Sequence, residues 1–189
     1  MNLKAAWKHL KTITKHKAIV CLQCVKCGYL GRGLMHDNSK FGLAEFMQSA
    51  KYFQGVRSPI EAQKAAEGYS AAWQHHKGHN PHHWEYWMDF AGNGQLIANK
   101  IPYKYVVEMV CDWIGAGMVY GHGKWTQNEP LDYYNKVRGG RHFHRETEDL
   151  LVAFLSCIKY DGLAEFYKMA RCKGKYAHLR VEYEKSVST

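Results

Sequence analysis

The sequence contains no apolar run of about 18 residues, the least that a bilayer-spanning helix needs. Its first 20 residues carry five lysines and lack the apolar centre of a secretory signal, so the chain is expected in the cytoplasm and off the membrane. Six cysteines are then expected as thiols. Alternating β-branched runs are absent, and the Asn93-Gly94 pair stands in what reads as a plain loop, so no sheet is expected. No low-complexity stretch or linker argues for a second domain. Acidic residues are in short supply: 17 Asp and Glu against 26 Lys and Arg give a net charge of +9. That balance favours anionic partners such as nucleotides. No groove-reading motif supports nucleic-acid recognition.

Helical periodicity fills the chain instead. Leu3–Leu10 reads as a first short helix and Thr14–Cys27 as a second, stopped by Gly28 and the loop GYLGRG. A helical turn over Leu34–Asp37 leads into HDNSKF, and Gly42–Phe53 follows with Leu43, Phe46 and Ala50 turned inward. Ser58-Pro59 opens a helix to about Glu67, with proline where no amide donor is missed. Tyr69–Lys77 and Pro81–Phe90 are two more, split by Gly78-His79-Asn80. Pro102 starts the strongest, YKYVVEMVCDWIGAGMVY; Pro130–Val137, Arg145–Tyr160 and Leu163–Arg171 complete an all-α chain, and Val181–Thr189 reads as a frayed tail. A chain of this length buries about 70% of its unfolded surface, so a bound metal would serve chemistry rather than folding.

Six of the twelve histidines fall between residues 36 and 83, interleaved with Asp37 and Asn80. Imidazole and carboxylate together suit iron, manganese, zinc or cobalt. Asp112 shares a helical stripe with Tyr105, Glu108, Met109 and Ala116 and so can face the core. A carboxylate there is costly unless a cation accompanies it. Cys21, Cys24 and Cys27 line one side of a helix, where a structural zinc would want a fourth ligand and a knuckle, so they are expected to pack. GLAEF occurs at 42–46 and 162–166 with nothing extending the match, and is no repeat. His9, His122, His142, His144 and His178 are expected at the surface or in caps.

The order His16, His36-Asp37, HHKGHNPHH (75–83) and Asp112 resembles the HD-domain superfamily, helical metal-dependent phosphohydrolases named for their His-Asp pair. LMHDNSKFG is similar to the LLHDxGKxG of its lysine-bearing branch, and IPYKYVVEMVCDWIGA to that branch's proline-led helix, over about residues 10–120. HDNSKF, AAWQHHKGHNPHHWEYW and EMVCDW together also resemble an uncharacterised bacterial and phage family marked by HDxSKFSPxEF, AWxxHxxxNxHHWEYW and EMxxDW, from roughly Trp7 to Leu151. That family brings no established activity. Gly42-Leu43 stands where it tends to have Ser-Pro, which alters a helix start and not the ligands.

These resemblances imply one HD-like helical bundle, with its core at about 7–151 and a helical extension at 152–189. They imply one or two divalent transition metals, iron or manganese, with zinc, cobalt or nickel as alternatives. His16, His36, Asp37 and Asp112 would hold one ion, with Asp37 bridging to a second held by His76 and one of His82 and His83. Lys40 would hold a phosphate oxygen beside the metals, or be a solvated lysine. Arg57, Lys77 and Asn80 are further substrate-binding candidates, though Asn80 also suits a helix stop. Glu85 is a catalytic candidate or a carboxylate that fixes a histidine tautomer. Trp84, Tyr86 and Trp87 could stack on a base or pack in the core. The expected activity is hydrolysis of a phosphoester in a nucleotide or similar small anion. The alternatives are a diiron oxygenase and a non-catalytic nucleotide- or nucleic-acid-binding protein.

Overall fold

The structure, a computed structural model, describes residues 3–55, 57–121 and 123–185. Among them are ten α-helices and one small hairpin, so the chain is all-α in its architecture. The first two expected helices are one, α1 (Leu3–Lys26). Thr12, Ile13 and Thr14 are β-branched and argue for a break. However, Ala6, His9, Ile13, His16 and Val20 are buried at alternating steps of three and four, and packing along that face carries the helix through.

The short helix α2 (Leu30–Met35) packs back on α1. Gly33 permits the approach. A Cβ there would stand 2.9 Å from the Cys21 Cα and 3.1 Å from the Cys21 carbonyl oxygen, backbone atoms that cannot swing aside. Gly33→Ala is therefore expected to cost about 1–3 kcal/mol. The measurement is thermal unfolding; an unchanged midpoint would contradict close backbone contact at this point.

Helices α3 (Leu43–Tyr52), α4 (Pro59–Glu67) and α5 (Ala71–His79) form a group beside α1. Helix α3 turns Glu45 and Ala50 inward, whereas Leu43, expected inside, is its exposed first residue. Pro81–Phe90 is not a helix. Trp84–Trp87 makes a 3₁₀ turn, and β1 (Met88–Phe90) pairs antiparallel with β2 (Leu96–Ala98), Met88 opposite Ala98 and Phe90 opposite Leu96. Asn93-Gly94 belongs to the hairpin turn: Gly94 takes φ +80°, and its N–H donates to the Ala91 carbonyl at 2.8 Å.

Helix α6 (Tyr103–Tyr120) packs against α1, α7 (Glu129–Val137) and α8 (Arg145–Asp161). Val106, Val107, Val110 and Ile114 are fully buried on it, each stabilising the fold by about 1.5–3 kcal/mol. Helices α9 (Leu163–Ala170) and α10 (Leu179–Lys185) join the same buried cluster, which extends from Val20 to Tyr183. The segment 152–185 contributes side chains to this cluster: α8 runs straight across position 151, and Phe154 packs edge-on against Tyr103 and Phe166. The expected frayed tail is helical to Lys185, because Tyr183 is buried and its hydroxyl donates to the Ile101 carbonyl at 2.6 Å. The remainder of that tail, 186–189, lies outside the described residues. Cys24, Cys27 and Cys111 sit in the core as free thiols, the last two with sulfurs 3.7 Å apart. No helix among the described residues is long and apolar enough to cross a membrane.

Candidate metal centre

Helix α1 presents His16, the connection after α2 presents His36 and Asp37, α5 presents His76, the segment after it presents His82 and His83, and α6 presents Asp112. The His-Asp pair lies in a turn, not in a helix. Asp37 adopts a left-handed backbone, φ 53° and ψ 24°, which aspartate tolerates better than bulkier residues. Lys17, next to His16, pins that turn. Its Nζ donates to the carbonyls of Leu34 (2.9 Å) and His36 (2.6 Å) and to Asn38 Oδ1 (2.6 Å), so its three protons are all committed.

Two four-residue groups result, sharing Asp37. In the first, Asp37 Oδ2 lies 3.5 Å from His16 Nε2 and 3.3 Å from His36 Nε2, and Asp112 Oδ1 lies 3.0 and 3.4 Å from the same nitrogens. In the second, Asp37 Oδ1 lies 3.2 Å from His76 Nε2 and 3.5 Å from His82 Nε2, while His83 Nε2 stands 2.9 Å from His76 Nε2. Both His82 and His83 therefore belong to the group. Asp37 Oδ1 and His82 Nε2 are buried with no hydrogen-bond partner among the described residues. Donor atoms converging at such spacing, two of them without a partner among those residues, make a group that could hold a cation.

The outer ring nitrogens of His36 and His76 are held by two carboxylates that were not among the expected site residues. Glu45 Oε2 lies 2.8 Å from His76 Nδ1, and its Oε1 lies 2.7 Å from His75 Nδ1. Glu108 Oε1 lies 3.1 Å from His36 Nδ1 and 3.2 Å from His82 Nδ1, the latter out of line for a hydrogen bond, and Arg32 Nε donates to its Oε2 at 2.7 Å. A proton on Nδ1 at His36 and His76 would leave the Nε2 lone pair of each turned to the centre. The signals were present: Glu108 sits one turn before Asp112 on its inward stripe, and Glu45 is the glutamate of the GLAEF stretch following the His-Asp pair. Glu108 touches one histidine from each group. Glu108→Gln is thus expected to weaken metal binding about 10–100-fold, measured by competition against a chelator; unaltered affinity would contradict the orienting role.

Burial penalises charge at His36, Asp37 and Asp112, but their proximity outweighs it. Asp37 is held well below the usual carboxylate range by His36, Lys40 and His76, and Asp112 by His16 and His36. Carboxylates likewise hold His36 well above the usual imidazole value. Burial and neighbouring histidines lower His82 and His83. Glu108, despite burial, is brought down to about 2 by His36, His82 and Arg32. Ionised carboxylates facing imidazoles make a donor set in which a divalent cation can replace protons.

The centre opens on a cavity of about 830 Å³ lined by His16, His76, His83, Asp112, Lys40 and Glu85, among others. Lys40 Nζ donates to Asp37 Oδ2 at 2.5 Å. Among the described residues Glu85 bonds to no histidine, whereas Glu45 and Glu108 do; its Oε2 is buried without a partner among them, and burial raises its pKa. Asn80 is buried behind His76, donating to Ser39 Oγ and the His76 carbonyl at 2.8 Å each, and does not line the cavity. Arg57 is exposed, with its Nε donating to Gln54, and neither it nor Lys77 lines the cavity. Trp73 and Trp84 do line it, whereas Trp87 packs near Tyr105 and donates to the Pro81 carbonyl. His9, expected at the surface, is buried between Phe46 and Phe53. His144 caps α8 as expected, and His122 lies outside the described residues.

No curated protein and no solved structure matches the chain. A family model matches residues 5–157, most of the length and every residue of both four-residue groups. The chain belongs to the family of unknown function DUF5662.

Proposed function

We propose that the protein is a metal-dependent phosphohydrolase of the HD type, acting on a nucleotide or similar small anionic phosphoester. The observation that carries the proposal is Asp37, whose two oxygens face separate groups of ring nitrogens while Lys40 stands beside it on the cavity wall. A divalent pair held there would supply Lewis-acid polarisation and a hydroxide at neutral pH. Lys40 holds a phosphoryl oxygen against the centre, and the protein provides its charge already oriented. Glu85, on the same wall, is the group at hand to protonate the leaving oxygen. Trp73 and Trp84 offer ring faces to a base.

The test is a panel of phosphomonoesters and phosphodiesters with manganese- or iron-loaded protein, run beside an oxygen electrode. Phosphate release without oxygen uptake is expected. Lys40→Gln is expected to lower turnover about 10²–10³-fold while metal content holds. The nitrogen-rich donor set also suits diiron oxygen chemistry. Oxygen consumption with an organic substrate, and no ester cleaved, would identify an oxygenase instead. Tight nucleotide binding without turnover, retained in His36→Ala, points to a binding protein.

A further inference from the structure

The cavity continues well past the histidines to a wall built by Trp113 on α6 and by Tyr133, Lys136 and Arg141 on α7 and the turn after it. The Arg141 guanidinium lies 5.0 Å from the Trp113 ring centre and 5.2 Å from that of Tyr133, and Nη2 donates to the Tyr133 hydroxyl at 2.7 Å. Trp113 and Tyr133 are themselves fixed edge-to-face at 5.1 Å. The guanidinium is therefore held in place on two aromatic faces, which lowers the entropy it must lose on meeting a ligand. Among the described residues one of its five donors is taken. Among the described residues no carboxylate lies within 4.0 Å of it or of Lys136, whereas Lys64, on another wall, is paired with Glu61. Glu85 and Glu129 also line the cavity; Glu129 Oε1 is occupied by the Thr126 amide at 3.1 Å.

We infer that Arg141 anchors a second anionic group of the substrate, so that the site takes a molecule with two separated anions: a phosphoester at the histidines and a carboxylate or further phosphate at the arginine. This rests on the phosphohydrolase proposal for its first half only. Inorganic phosphate alone would leave most of a cavity of about 830 Å³ unfilled, and pockets of that order enclose whole small molecules. Trp113, on which the Arg141 guanidinium lies, directly follows Asp112 on α6, so one ring beneath the anchor and one residue of the candidate metal group are neighbours on one helix.

The experiment is calorimetric binding of ω-phosphonoalkanoates to manganese-loaded protein, across a series of chain lengths, against alkylphosphonates of equal length lacking the carboxylate. At the best length the phosphonoalkanoate is expected to bind about tenfold tighter or more, the worth of a charge-assisted hydrogen bond. Arg141→Gln is expected to erase that advantage and leave the alkylphosphonate affinity unchanged. Because the readout compares two ligands on one protein, general loosening of the wall cancels. No advantage at any length, or one that survives Arg141→Gln, overturns the inference. If neither phosphonate binds, the phosphate half has failed by itself, and dicarboxylates against monocarboxylates then read the anchor: an Arg141-dependent preference sustains it, and none overturns it.

Discussion

Asp37→Asn is expected to remove nearly all activity, roughly a thousandfold or more, since the polarisation it organises is worth several kcal/mol. The substitution is chosen for what it leaves intact. Asparagine keeps the shape of the side chain and tolerates the left-handed backbone that Asp37 adopts. It withdraws the one charge shared by both groups and by Lys40. Metal content is expected to fall in parallel, with the far-ultraviolet circular dichroism of a helical protein retained. A variant that keeps its metals and turns over at the normal rate would mean that Asp37 bridges nothing.

Removing metal should be felt by the fold as well as by catalysis. Residues from α1, the turn after α2, α5, the segment beyond it and α6 converge on one place, so a bound ion fastens elements that otherwise meet through histidines and carboxylates. An ion present at a hundredfold over its Kd stabilises by about 2.7 kcal/mol, and a domain of this size shifts by about 2–4 °C per kcal/mol. Stripping two ions with a chelator is therefore expected to lower Tm by roughly 10–20 °C. Manganese, iron or zinc should restore it and magnesium should not, because the centre offers mostly nitrogen donors. Recovery with magnesium alone, or no shift on stripping, would contradict this donor assignment.

The residues that converge at the candidate centre stood out in the sequence because each is an unusual type at a telling place: a His-Asp pair, a histidine cluster and an aspartate on an inward helical stripe. Helical periodicity placed α3 to α9 within about two residues, but it also made a helix of Pro81–Phe90, the segment of His82 and His83, which is a 3₁₀ turn and a strand. What stayed hidden has physical reasons. The helix α1 reads as two because the local preference of Thr12, Ile13 and Thr14 competes with burial along a whole face, and burial is decided by partners far away in the chain. The hairpin at Met88–Ala98 is short and largely exposed, so no alternation marks it. Glu45 and Glu108 look like ordinary helix carboxylates until their partners, His75, His76 and His36, are seen across the site. Arg141 gains meaning only from Trp113 and Tyr133, which pack against it from other turns of the chain.

Elemental analysis of freshly purified protein, by inductively coupled plasma mass spectrometry, tests the shared centre most directly. About two transition-metal ions per chain are expected, one for each group around Asp37. A chain that carries none, and takes up neither iron, manganese nor zinc when these are offered, would show that the buried histidines and carboxylates serve only each other.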